Sequence, residues 1–101
     1  MIKHIVFWNI VDAYEGQTKE DIMLYIKQEL EKLVGSVPGL IKLEVHPNHL
    51  QAPAENYDLA LYSELESFEA LHAYHIHPEH QKMVSYLGKV RTERACVDYE
   101  V

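Results

Sequence analysis

At 101 residues the chain is long enough for one modest hydrophobic core and too short for two. Sixteen Asp and Glu against nine Lys and Arg give a formal charge of -7, which repels phosphate backbones and anionic membranes and excludes both as expected partners. The lone Cys96 excludes an internal disulfide or a cysteine-based zinc cluster, no apolar run reaches membrane-spanning length, and the N-terminus enters a strand pattern at once, so a single soluble, cytoplasmic domain over residues 1–101 is expected.

Ile2 to Val11 is rich in β-branched and aromatic residues. Alternation puts His4, Val6, Trp8 and Ile10 on one face and Ile5, Phe7, Asn9 and Val11 on the other. Both faces are apolar, so this strand needs cover on both. Asp12 to Gln17 reads as a loop. Thr18, with Asp21 three residues on, approximates a capping box, and Ile22, Ile26, Leu30, Leu33 and Val34 recur at helical spacing, which predicts an amphipathic helix to Val34. Gly35 is expected as its left-handed cap, followed by a turn at Val37-Pro38-Gly39. Leu40 to His46 is a second strand, ended by Pro47. Asn48 to Asn56 is the longest loop and is expected to be the most mobile part, and Tyr57 to Glu64 is a third strand with Leu59 and Leu61 on one face.

Ser67 caps the next helix, whose inner side is predicted to carry Phe68, Leu71 and His75. The segment Tyr74-His75-Ile76-His77-Pro78-Glu79-His80 interrupts it. Proline is tolerated at the first position of a helix and not in its interior, so one helix stops near His75 or Ile76 and another starts at Pro78. His77 becomes the N-cap and His80 the third residue, where the helix macrodipole disfavours a charged imidazole and Glu79 pulls the other way. Beyond the break His80, Met83, Val84 and Leu87 share a face, and Ala95, Val97, Tyr99 and Val101 alternate in a closing strand. The order predicts an α+β, ferredoxin-like βαββαβ fold with a four-stranded antiparallel sheet and both helices on one face. The other sheet face is apolar and uncovered, so a second copy is expected to cover it as a homodimer.

The break is the best candidate for chemistry. The position of His80 in the first turn favours a neutral, proton-accepting imidazole, with Tyr74 just before the break. The competing reading makes these residues caps and solvated side chains, and His4 a satisfied core histidine. His72, His75, His77 and His80 fall within nine residues, but Pro78 turns the chain and no nearby carboxylate completes a ligand set, so neither a metal site nor a cofactor is expected.

Five stretches carry a resemblance: Met1-Ile2-Lys3-His4-Ile5-Val6, Val37-Pro38-Gly39-Leu40, Tyr57-Asp58-Leu59-Ala60-Leu61, Ala73-Tyr74-His75-Ile76-His77-Pro78-Glu79-His80 and Val97-Asp98-Tyr99-Glu100. Together they resemble the stress-responsive dimeric α/β-barrel family, Dabb, over nearly the whole chain. The resemblance implies a dimer in which two ferredoxin-like sheets form a barrel. A plant polyketide cyclase similar to the family performs a cofactor-free aldol condensation. By that likeness Tyr74 and His80 match its working tyrosine and histidine, in a pocket between sheet and helices, and His4 matches the histidine of its first strand. Val6, Trp8, Ile26, Leu30 and Leu61 are expected around the pocket, and the bulk of Trp8 decides whether it is open or filled. The expected ligand is small, mostly apolar, and phenolic or carbonyl-bearing. A cofactor-free oxygenase of the same build and a non-catalytic stress-protective dimer are the alternatives.

Overall fold

Strand β1 (Ile2–Ile10) organises the computed structural model, which describes residues 1–101. His4, Val6, Trp8 and Ile10 are all buried on one face of it, as the alternation requires. After β1 comes a small hairpin, β2 (Ala13–Tyr14) and β3 (Gln17–Thr18), where a loop was expected. Glu15 and Gly16 turn it with φ of 49° and 81°. Two central residues at positive φ are the pattern of a type I′ hairpin, which Glu-Gly does not announce as Asn-Gly would.

Helix α1 (Lys19–Glu31) opens with the capping box: Thr18 Oγ1 accepts from Asp21 N at 3.2 Å, and Asp21 Oδ2 accepts from Thr18 N at 3.3 Å. Ile22, Ile26 and Leu30 are buried against the sheet, each contributing roughly 1.5–3 kcal/mol by leaving water. The helix ends at Glu31 rather than Val34. Leu33 N bonds Leu30 O at 3.1 Å, a tighter turn that swings Leu33 into the core and leaves Val34 exposed. Gly35, with φ of 93°, therefore serves the following turn instead of capping α1 directly. At Val37-Pro38-Gly39 the predicted turn is present: Leu40 N bonds Val37 O at 3.2 Å and Gly39 has φ of 82°, the type II pattern.

Strands β4 (Leu40–Pro47) and β5 (Leu59–Leu65) follow, then α2 (Phe68–Ile76), α3 (Pro78–Val90) and β6 (Arg91–Glu100). The antiparallel sheet runs β4-β5-β1-β6, the ferredoxin-like order, with the helices over the face of His4, Val6 and Trp8. Ser67 Oγ caps α2 by accepting from Ala70 N at 3.1 Å. The inner side of α2 is Leu71 and Tyr74, with His75 half-buried; Phe68, the first residue after the Ser67 cap, is exposed because at the helix end no preceding turn lies beneath it. The closing strand starts four residues earlier than expected and follows α3 with no connecting residue. On the far sheet face Phe7, Val97 and Tyr99 are 37%, 51% and 43% exposed, an apolar surface with no cover from its own chain.

Candidate functional site

The proline break forms as its sequence dictates. Pro78 occupies the first turn of α3, and His77 caps it, Nδ1 accepting from Glu79 N at 3.2 Å. That cap takes the N–H which an unbroken helix would have given to the carbonyl of His75. His80 replaces it: its Nδ1 lies 3.2 Å from His75 O, and Gln81 Nε2 donates to the same oxygen. A carbonyl only accepts, so Nδ1 carries the proton and Nε2 keeps its lone pair. Burial, opposed by the His75 carbonyl and aided by the charge of neighbouring histidines, pushes His80 down to about 4. The imidazole is neutral through the physiological range, with the Nε2 lone pair free to accept a proton. Between the opposing pulls of the macrodipole and Glu79, which left the direction open in the sequence, it is desolvation that decides it.

Tyr74, from the last turn of α2, is almost fully buried, and its ring centroid is 4.1 Å from that of His80. Burial raises its phenol well above the usual range, so the hydroxyl remains a proton donor. His4 reaches the same place from β1, its ring 6.1 Å from Tyr74 and 5.3 Å from His75. The sheet register sets His4 opposite Asp98 on β6, and the imidazole Nδ1 hydrogen-bonds the Asp98 carboxylate. This is a histidine oriented by a carboxylate, with Cys96 Sγ 3.7 Å from Nδ1. His4, Cys96 and Asp98 hold their ligand atoms within 4.8 Å of one another, the one cluster where donors suited to a metal gather, though an ion there would displace the His4–Asp98 bond. His72 is exposed, and His77 commits Nδ1 to its cap, so the four clustered histidines do not converge.

His4, Tyr74 and His80 share a cavity of about 350 Å³ between the sheet, α1 and the broken helix. Val6, Trp8, Leu30 and Leu61 line it, and Trp8 forms a wall rather than filling the space. Ile26 does not line it. One turn from Leu30, it is fully buried in the packed core between α1 and the sheet. Sequence reasoning did not assign His75, Gln81, Val84, Leu87, Arg91 and Arg94 to this lining. Val84 and Leu87 continue the face that starts at His80, a signal that was legible; Gln81, one residue on from His80, lies off that face, and the two arginines became visible only with the true start of β6.

The chain matches the model of the stress-responsive A/B barrel domain over residues 2–101. Among solved structures it is similar to a dimeric protein of unknown function and ferredoxin-like fold from Bacteroides fragilis, 34% identical, with TM-score 0.86 and coverage of 99% of this chain and 95% of that one. A dimeric ferredoxin-like protein from Thermobifida fusca is 24% identical with TM-score 0.83, covering 99% and 90%. A hydroxynitrile lyase from Passiflora edulis is 14% identical with TM-score 0.78, covering 99% and 92%; it and the Thermobifida fusca protein show the shared fold alone. Among curated proteins none matches this chain in sequence. With the family model spanning all but the first residue and the β4-β5-β1-β6 sheet in place beneath the helices, the chain belongs to the stress-responsive A/B barrel family, Dabb.

Proposed function

We propose that the cavity binds a small, mostly apolar, phenolic or carbonyl-bearing compound and supports proton transfer without a cofactor. His80 Nε2 is the base, Tyr74 the donor to a carbonyl or enolate oxygen, and His4, held by Asp98, the positioning partner. The observation that carries this reading is the pairing of a neutral His80 with a protonated Tyr74, 4.1 Å between ring centroids, on the wall of an open cavity. A ligand that fills the cavity expels water, which strengthens the Tyr74 hydrogen bond at the moment charge develops on the oxygen. That a hydroxynitrile lyase shares the fold supports chemistry in such a cleft by analogy only.

We also propose that the working unit is a homodimer, formed through the uncovered face that bears Phe7, Val97 and Tyr99; the similar structures described as dimeric support this. The lone Cys96 is consistent with a reducing, cytoplasmic setting, and the family description with a role in stress.

The test is a thermal-shift screen of phenolic, aromatic and polyketide-like carbonyl compounds on the native protein, followed by His80→Ala and Tyr74→Phe. A hit on the native protein is expected to weaken about tenfold or more in each variant, the 1–3 kcal/mol of a lost buried hydrogen bond, with the sedimentation profile preserved. No hit at all, or full binding by both variants, would leave a non-catalytic protective dimer as the better account.

A further inference from the structure

The chain contains two arginines, and both line the cavity. Their arrival there depends on an irregularity in the sheet. Arg94 stands opposite Trp8, a cavity residue, so the next position of β6 on that face, opposite Ile10, should be Thr92. The register shifts between Asn9 and Ile10, and the residue opposite Ile10 is Arg91. One extra residue thus turns a side chain that alternation would aim at the other face toward the helices, as bulges beside binding sites do.

The ion-pair pattern isolates the same two residues. In a chain of charge -7, every lysine except Lys89 lies within ion-pair distance of a carboxylate. Neither arginine has such a partner. Burial first, then His4, holds His75 below the ordinary histidine range, and the charge of Arg94 adds to this, which puts Arg94 close to the site. Two guanidinium groups at one cavity, in a protein with a surplus of carboxylates that leaves both unpaired, match a ligand that brings its own carboxylate. The planar guanidinium fork binds that group in two-point fashion, which lysine does not.

We infer that the cavity takes a carboxylic acid, its carboxylate held by Arg91 and Arg94 and its phenolic or carbonyl oxygen directed to Tyr74 and His80. The apolar body lies between, against Val6 and Leu61. This rests on reading the cavity as a ligand site and adds the class of ligand. Such an acid is ionised at neutral pH, since carboxyl groups titrate near 4, and the neutral His80 offers it no competing ion pair.

Calorimetric titration of the native protein with para-butylbenzoate and with its neutral counterpart para-butylbenzamide, at neutral pH and low salt, tests the inference. The benzoate is expected to bind at least tenfold tighter, and added salt to weaken the benzoate alone. Arg91→Gln combined with Arg94→Gln should bring the acid down to the level of the amide; both side chains are exposed in the protomer, and a thermal melt checks that the variant is folded. Equal affinity for the two compounds in the native protein, or an acid preference that survives in the double variant, overturns the carboxylate inference and leaves the cavity as a ligand site. If neither compound binds and the broader screen of aromatic and carbonyl compounds is also blank, both readings fall together.

Discussion

Replacing His80 with asparagine should remove part of the protein's acid sensitivity. His80 is held at about 4 in the folded chain, mainly by burial, against 6.5 for an ordinary histidine. The unfolded chain therefore takes up this proton first as pH falls, and protonation favours unfolding. The stability at stake is fully present above 6.5 and is lost progressively down to about 4. That gap, at about 1.36 kcal/mol per pH unit, sets a ceiling of about 3 kcal/mol. The ring is only partly buried and solvent screens it, so about 1–2 kcal/mol is the expected effect. Asparagine presents an N–H in roughly the place of Nδ1, so the bond to the His75 carbonyl has a substitute. Urea denaturation at fixed protein concentration, at about pH 7 and about pH 4.5, gives the loss for each protein, and native minus variant cancels the contribution of the carboxylates. A native protein that loses no more stability than His80→Asn over this interval would refute the claim that position 80 is buried as a neutral base.

Phe7→Asp, on the uncovered sheet face, should convert a dimer to monomer or unfolded chain in sedimentation at micromolar concentration; a native protein that is already a stable monomer there would remove the barrel assembly. Gly39→Ala should cost roughly 2–4 kcal/mol in a denaturant melt, because φ is 82° and the new methyl would sit 2.5 Å from Ala70 Cβ. Gly35→Ala, at φ of 93° with nothing within 4 Å, should cost only about 1 kcal/mol, and equal losses at the two glycines would contradict the close approach of the turn to α2. Limited proteolysis should cut first between Asn48 and Asn56, and a first cut inside α1 would contradict the placement of that loop.

Local chemistry was legible in the sequence wherever a short-range rule decided the outcome. Period-two alternation placed His4, Val6 and Trp8 on one face, and the geometry of proline put the helix break at Pro78 with His77 as its cap. Those two facts also brought His4, Tyr74 and His80 together. What stayed hidden depended on register. His4 and Asp98 are 94 residues apart and meet only because β6 pairs with β1 as it does. The position of Arg91 needed both the bulge at Asn9 and a helix that passes into a strand without a turn signal; neither leaves a mark at the scale of a sequence window. Ile26 was misassigned for a different reason. Helical spacing tells which side of α1 faces the sheet, and not which turn of that side meets packed side chains and which meets open space.

The direct passage from α3 into β6 has a consequence for ligand size. Gln81, Val84 and Leu87 on one side of the junction and Arg91 and Arg94 on the other all border the cavity, so two of its walls are a single uninterrupted piece of chain. The joint is clamped: Val90 is fully buried, its carbonyl accepts from Val11 N at 2.8 Å, and Arg91 N bonds back to Leu87 O. No slack residue is present to absorb a change in dihedral angles, so these walls cannot spread as a hinged lid would. Along a series of acids with lengthening alkyl chains, affinity should climb by about 0.8 kcal/mol per methylene and then drop abruptly at one length, whereas a pliable pocket would level off gradually.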